Sequence, residues 1–279
     1  MRVLVVGASG PLGRSVAAEL RATGHSVTGL SRSGSHDTVR LDVTDRALTA
    51  ELIAQCSPDA VAYLARPSAC VADDDAAVIG NEVDSLVRFA AQCVESSVTR
   101  FVFASSAAVY GTDVALPRRE DDERHGDSAY SVLKIRSEDA LATFAGALPV
   151  TSLRIFNIFG PGFSGSLVNR IAVGDGTALT VYDTDTYVRD YIHSSDVARA
   201  FECALESADP GLTTANVGTG IGTSNKKLLG LKPDLEFRSH PDSSIASFSV
   251  ADPSFARSHW GFSARVKLHQ SIQHPDEFF

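Results

Sequence analysis

The chain has 279 residues, 44% of them hydrophobic and 21% charged, and a formal net charge of −9 from 25 basic and 34 acidic side chains. That length supports one large domain, or one domain with a small lobe, around a sizeable core. The acidic balance, with basic clusters no longer than the pairs Arg118-Arg119 and Lys226-Lys227, argues against a nucleic-acid partner. No apolar run approaches the ~20 residues that cross a bilayer. Met1 leads directly into Val3-Leu4-Val5-Val6 without a charged leader segment. The expectation is therefore a cytoplasmic protein with no membrane partner. Cys56, Cys70, Cys93 and Cys203 are widely spaced, so neither a disulfide framework nor a metal site is expected of them.

In chain order, apolar runs rich in β-branched residues at 2–6, 26–30, 60–64, 100–104 and 150–156 alternate with helical patterns at 12–23, 46–56, 78–96 and 129–145. Near-continuous apolar strands separated by helices predict a parallel sheet covered on both faces. Right-handed crossovers make this an α/β, doubly wound sheet of the Rossmann type. After Phe156 the alternation breaks at Gly160-Pro161-Gly162 and again at 183–186, and beyond Gly218 the chain is rich in Ser, Pro and short elements. This predicts a small C-terminal lobe. The helical pattern at 196–206 and the apolar run at 213–217 read as a return to the main sheet. The expected division is 1–155 with 187–217 for the sheet domain, and 156–186 with 218–279 for the lobe.

The first strand runs straight into Gly7-Ala8-Ser9-Gly10-Pro11-Leu12-Gly13, which opens a helix. Such a turn needs glycine for positive φ and for close backbone approach, and the helix N-terminus offers unpaired N–H groups to a pyrophosphate. Position immediately after an apolar strand is what the dinucleotide fingerprint requires. The second strand ends in Ser31-Arg32-Ser33. A carboxylate there would suit the ribose 2′-OH of NAD, whereas Arg32 suits a 2′-phosphate, so NADP(H) is favoured over NAD(H). A surface arginine after a strand would look the same. Asp42, with Val43 beside it, is placed near the adenine amino group, or else serves as an acid at the start of the following helix.

The fourth main strand leads into Ser105-Ser106-Ala107-Ala108-Val109-Tyr110-Gly111. A later helical stretch carries Tyr130 and Lys134, whose i, i+4 spacing puts them on one face. An ammonium so placed stabilises a phenolate and lets Tyr130 give and take a proton near neutral pH. Ser106, at the strand's C-terminal end where open α/β sheets bind ligands, would hydrogen-bond the reacting oxygen.

Gly7-x-x-Gly10-x-x-Gly13, Ser105-Ser106-x-x-Val109-Tyr110-Gly111, Tyr130-x-x-x-Lys134, Arg154-x-x-Asn157-x-x-Gly160-Pro161-Gly162 and Val188-Arg189-Asp190-Tyr191-Ile192-His193 resemble the successive motifs of the extended short-chain dehydrogenase/reductase family, in its NAD(P)-dependent epimerase/dehydratase, nucleotide-sugar-modifying branch. The resemblance runs from Arg2 to about Gly218 and is weaker beyond. It implies Tyr130 as acid/base, Lys134 as its partner and cofactor ligand, and Ser106 as the substrate ligand with Ala107 next to it. Strand ends Leu64, Ala65 and Ala104 would line the cofactor, and Asn81 would support the site. Asn157 and Arg189 match residues that hold the diphosphate of a nucleotide-diphosphate sugar; a capping Asn and an Arg189–Asp190 ion pair are the plain alternatives. A homodimer through the helices at 78–96 and 129–145 is likewise implied.

Two departures bear on function. Ala107 and Ala108 stand where the family's dehydratases place acids, which argues against a 4,6-dehydratase. Tyr63-Leu64-Ala65-Arg66 replaces a common His-Leu-Ala-Ala, so Arg66 adds a cation near the cofactor's path, or faces solvent. The expected activity is reduction of a keto group on a nucleotide-linked deoxysugar. The alternatives are an epimerase that recycles tightly held NAD, and a non-catalytic NADP(H) sensor, against which the retained Tyr130-Lys134 pair counts.

Overall fold

A computed structural model describes residues 1–65, 76–111, 115–174, 179–182, 185–240 and 247–279. Arg66 and Cys70 lie outside the described residues. The first half builds β1 (Arg2–Val6), α1 (Pro11–Ala22), β2 (Ser26–Ser31), β3 (Val39–Arg40), α2 (Arg46–Cys56), β4 (Ala60–Tyr63), α3 (Ala76–Glu95), β5 (Arg100–Ser106), α4 (Ala129–Ala142) and β6 (Val150–Ile155). β1 beyond Arg2 and β4 are buried because they carry apolar residues on both faces, and β6 is buried along its length with Thr151, Ser152 and Arg154 among its residues. Local chemistry sets the helix ends. Pro11 pre-forms the first turn of α1, Asp45 caps α2 by accepting from Leu48 N, and Ser128 and Ser131 form a reciprocal cap on α4.

The second half adds β7 (Asn157–Phe159), α5 (Leu167–Val173), β8 (Leu179–Tyr182), β9 (Tyr187–His193), α6 (Ser194–Glu206), β10 (Leu212–Val217), β11 (Gly222–Ser224), α7 (Asn225–Leu229), β12 (Phe237–His240), β13 (Ser247–Ser249), α8 (Ser254–Trp260) and α9 (Leu268–Gln273). One seven-stranded sheet has the order β10-β6-β5-β4-β1-β2-β3, with every neighbouring pair parallel. The order reverses between β1 and β4, so a crevice opens there at the strands' C-terminal ends. One face packs Val16 and Leu20 of α1 and Phe201 of α6; the other packs Ile53 of α2 and Phe89 of α3.

The expected return to the sheet is present: β10 pairs with β6 over Leu212–Val217. The expected boundary at 187 shifts, because β9 hydrogen-bonds not in the main sheet but between β7, β11 and β13. The cause is Asp190 on β9, fully buried, whose carboxylate accepts from Thr219 N (2.9 Å), Thr219 Oγ1 (2.5 Å), Gly220 N (2.8 Å) and Ala251 N (3.2 Å). Burial pushes the Asp190 carboxyl up and these hydrogen bonds pull against it. A small core of Phe159, Ile171, Tyr191, Leu228 and Ile272 fills the lobe.

Candidate active site

The C-terminal ends of β1, β4 and β5 converge on the crevice with the first turn of α1. Gly7 has φ +88°, and a Cβ there would meet Ala65 N at 2.9 Å. A Cβ on Gly13 would lie 2.2 Å from Gly7 O, so this position must be bare for helix and turn to pack. Gly10 differs: a Cβ there would touch only Gly7 O at 3.4 Å, leaving open space on its outer side. Gly10 is also the N-cap and supplies no side-chain cap, so the first-turn amides of Leu12 and Gly13 precede any intrahelical acceptor. A narrow, bare, positively polarised helix start is the shape and charge a dinucleotide pyrophosphate needs. The residues present fit such a cofactor.

On the β2 side of this turn lies a cavity lined by Ser9, Ser31, Arg32, Asp42, Val43, Leu64 and Ala65, all expected from the sequence. Glu82 of α3 and Ser33 join it and were not expected. Burial raises the Glu82 carboxyl, with Arg32 opposing the rise. The Thr44 amide lowers the Asp42 carboxyl, and Arg32 adds to that fall. Arg32 therefore already faces two carboxylates. Asn81, expected to support the site, is exposed on α3 and outside this wall; its carbonyl accepts from Ser85 Oγ (2.8 Å). The helix turns Glu82 rather than Asn81 towards the cofactor side. Arg66 falls outside the described residues.

On the other side of the glycine turn, a second cavity is lined by Gly10, Pro11, Leu12, Gly13, Ala104, Ser106, Tyr130 and Lys134, with Phe156 and Ile158. Lys134 is 5% exposed; its Nζ donates to Ala104 O (2.7 Å) and sits 4.6 Å from the Phe103 ring centre and 5.8 Å from that of Tyr130. A buried ammonium is thus fixed between the catalytic strand and helix, beside the tyrosine ring. Ser106 ends β5, and its Oγ accepts from Ala108 N (3.2 Å). Ser105 next to it turns inward and donates to Glu138 Oε1 (2.5 Å). Ala107 is buried behind Ser106 and does not line the cavity.

Glu138 was not expected to take part in the site. It is one helical turn past Lys134, buried, and accepts from Arg154 Nε (3.1 Å) and Nη2 (2.8 Å). Arg154 in turn donates to the Tyr110 hydroxyl (2.9 Å) and Glu120 O (2.9 Å). This network locks α4 onto β5 and β6. The spacing that links Tyr130 to Lys134 continues unbroken to Glu138, which is the signal that could have found it.

A third cavity of about 520 Å³ lies in the small lobe, lined by Asn157, Thr180, Tyr187, Arg189, Tyr191 and Asn225. Its volume is that of a typical small-molecule site. Asn157 Nδ2 donates to Asp190 O (3.2 Å). Arg189 makes no ion pair with Asp190: its guanidinium donates to Ser247 O (3.0 Å) and Oγ (2.6 Å) and lies 3.7 Å from the Tyr187 ring centre. Ile158, Gly165 and Ser166 are walls of both this cavity and the one holding Tyr130, while Gly7, Gly10 and Leu64 join the latter to the cavity of Arg32. The three cavities therefore lie side by side, each sharing wall residues with the next.

A doubly wound sheet with a bare glycine turn at its switch point, and a Tyr-Lys pair beside a strand-end serine, defines an extended short-chain dehydrogenase/reductase. Residues 3–218 match the NAD dependent epimerase/dehydratase family, and the chain belongs to that family of enzymes. It is 31% identical to the UDP-glucose 4-epimerase of Corynebacterium glutamicum, covering 91% of this chain and 85% of that protein. It is 30% identical to the UDP-glucose 4-epimerase of Rhizobium leguminosarum bv. trifolii, covering 86% and 83%. Among solved structures, the UDP-glucose-4-epimerase of Stenotrophomonas maltophila with bound NAD and formylated UDP-arabinopyranose is similar at a TM-score of 0.84 and 27% identity, covering 98% of this chain and 96% of that one.

Proposed function

We propose that the protein is a nucleotide-sugar epimerase acting on a UDP-linked hexose or pentose, with NAD as its cofactor. The observation that carries this reading is the adjacency of the three cavities, which share wall residues. A cofactor cleft opens onto Tyr130, Lys134 and Ser106, and these open onto a separate cavity able to take a nucleoside diphosphate. Similarity to several UDP-glucose 4-epimerases over most of the chain supports it. The epimerase, weighed second in the sequence, thereby displaces the keto-sugar reductase weighed first. Alanine at 107 and 108 suits either activity.

When bound, the nicotinamide supplies the acceptor and donor of a hydride. Tyr130 takes the proton of a sugar hydroxyl as its carbon is oxidised, and returns it when the carbonyl is reduced on the opposite face. The Lys134 ammonium stabilises the phenolate, held in place by Ala104 O. Ser106 hydrogen-bonds the reacting oxygen. Asn157 and Arg189 hold the diphosphate at the far end, Arg189 exchanging Ser247 for phosphate oxygens. NAD is preferred over the NADP expected from Arg32, because a 2′-phosphate dianion would have to sit beside Asp42 and Glu82.

The test is interconversion of UDP-glucose and UDP-galactose, followed by chromatography together with absorbance at 340 nm. The expected result is conversion without net change in reduced cofactor. A Tyr130→Phe variant is expected to lose about 10²–10⁴-fold in kcat. Consumption of reduced cofactor in proportion to a keto-sugar nucleotide, with no epimerisation, would overturn the reading. Tighter binding of NADP than NAD would overturn the cofactor assignment.

A further inference from the structure

Away from the active site, the start of β2 meets the C-terminal end of α6. His25 immediately precedes β2, and Glu202 and Glu206 stand one turn apart on α6, hence on one face. The His25 side chain is only 6% exposed, whereas that of Glu206 is 58% exposed. His25 Nε2 is buried and makes no hydrogen bond, although it points at the carboxylates and lies 3.5 Å from Glu206 Oε1. His25 N donates to Leu20 O, which fixes the backbone that carries the ring, and Nδ1 lies 3.4 Å from the Met1 amine. One ligand atom from each of His25, Glu202 and Glu206 lies within 4.8 Å of the other two.

The unpartnered Nε2 and this spacing together admit a bound ion. A hydrogen-bonded His–Glu pair brings N and O to about 2.7–3.2 Å. Ligands about 2.0–2.2 Å from a tetrahedral zinc ion lie roughly 3.3–3.5 Å from each other. The observed 3.5 Å matches an edge of such a tetrahedron. The local charge favours a cation as well. The two carboxylates balance the charge of a divalent ion, and the exposed Glu206 gives it a way in.

We propose that His25 Nε2, Glu202 and Glu206 bind one Zn²⁺, with water completing the tetrahedron. The site joins the N-terminal end of β2 to the end of α6, opposite the edge where the cofactor cleft opens. Its ligands lie far apart in the sequence and show no motif spacing, which is why the sequence predicts no metal.

The experiment uses tag-free full-length protein, stripped with chelator and desalted, then titrated with ZnCl₂ by calorimetry. One saturable site is expected. Glu206→Gln and His25→Gln should each weaken binding at least tenfold, and the rise in Tm that Zn²⁺ gives the wild type should shrink in step. The exposed Glu206 leaves that variant folded even where a change at His25 does not. Co²⁺ in place of Zn²⁺ should give the intense visible absorption of a tetrahedral site in the wild type and lose it in Glu206→Gln. Absence of saturable binding in the wild type, or equal affinity in wild type and Glu206→Gln, would overturn the assignment.

Discussion

Replacing Glu138 by Gln tests whether the buried network under α4 is held by charge. Both side chains of the Glu138–Arg154 pair are 6% exposed. Glu138 also accepts from Ser105 and, at the rim, from Arg124 Nη1 (3.3 Å). Burial alone would lower the Arg154 pKa; the hydrogen bond to Glu138 and its charge outweigh this and raise it. Glutamine keeps the shape but strands the guanidinium without a counter-charge. Breaking a buried pair in this way costs about 3–5 kcal/mol. At roughly 2–4 °C per kcal/mol for a chain of this size class, Tm should fall by about 6–20 °C. The pair Glu138→Leu with Arg154→Leu removes both charges and should lose less than the two single variants added together. Thermal melts at neutral pH, repeated in urea, measure both quantities. A Tm within about 2 °C of wild type for Glu138→Gln would refute the reasoning, since roughly 1 kcal/mol is the worth of a solvent-exposed pair.

The glycine turn should separate folding from binding. Gly10→Ala is expected to keep its Tm within a few degrees yet lose most NAD affinity by fluorescence titration, because its outer side is where the cofactor would approach. Gly13→Ala should instead cost about 1–3 kcal/mol of stability, its methyl meeting Gly7 O; equal melts for the two would contradict this. His193 predicts a pH effect. Burial lowers its pKa, against the Phe278 carbonyl and Asp196. Its Nδ1 accepts from Ser195 N, which requires a neutral ring. A depressed folded value means the stabilisation is complete above the ordinary histidine value near 6.5 and is lost as pH falls through the folded one. Between pH 7 and 5, wild type should therefore lose more Tm than His193→Gln, and parallel slopes would rule the effect out.

The elements that were legible in the sequence owe it to burial on both faces. β1 from Val3 to Val6 and β4 carry uninterrupted apolar residues, β6 is buried throughout although Thr151, Ser152 and Arg154 interrupt its apolar run, and α2 begins and ends where its pattern predicts. β3 was not legible because two exposed residues carry no alternation. β7, β11 and β13 are three residues each, too short to show alternation, and the Asp190 carboxylate that ties β9 to the segments beside β11 and β13 has its partners far along the chain. At the site, Tyr130 and Lys134 were readable from helical spacing and Gly7, Gly10 and Gly13 from their place after a strand. Glu82 and Glu138 were missed because acids in helices usually face solvent. Only the tertiary packing turns Glu82 into a cofactor cavity and Glu138 onto Arg154.

Ile158, Gly165 and Ser166 belong at once to the cavity of Tyr130 and to that of Arg189. Changes to this partition cannot be modular. Under the proposed function, a larger side chain at Gly165 would narrow the room of the sugar as well as the seat of its nucleotide. Altering the sugar preference without disturbing the handle is better begun at Phe156, which borders only the catalytic compartment, and altering the handle at Asn225, which borders only the other.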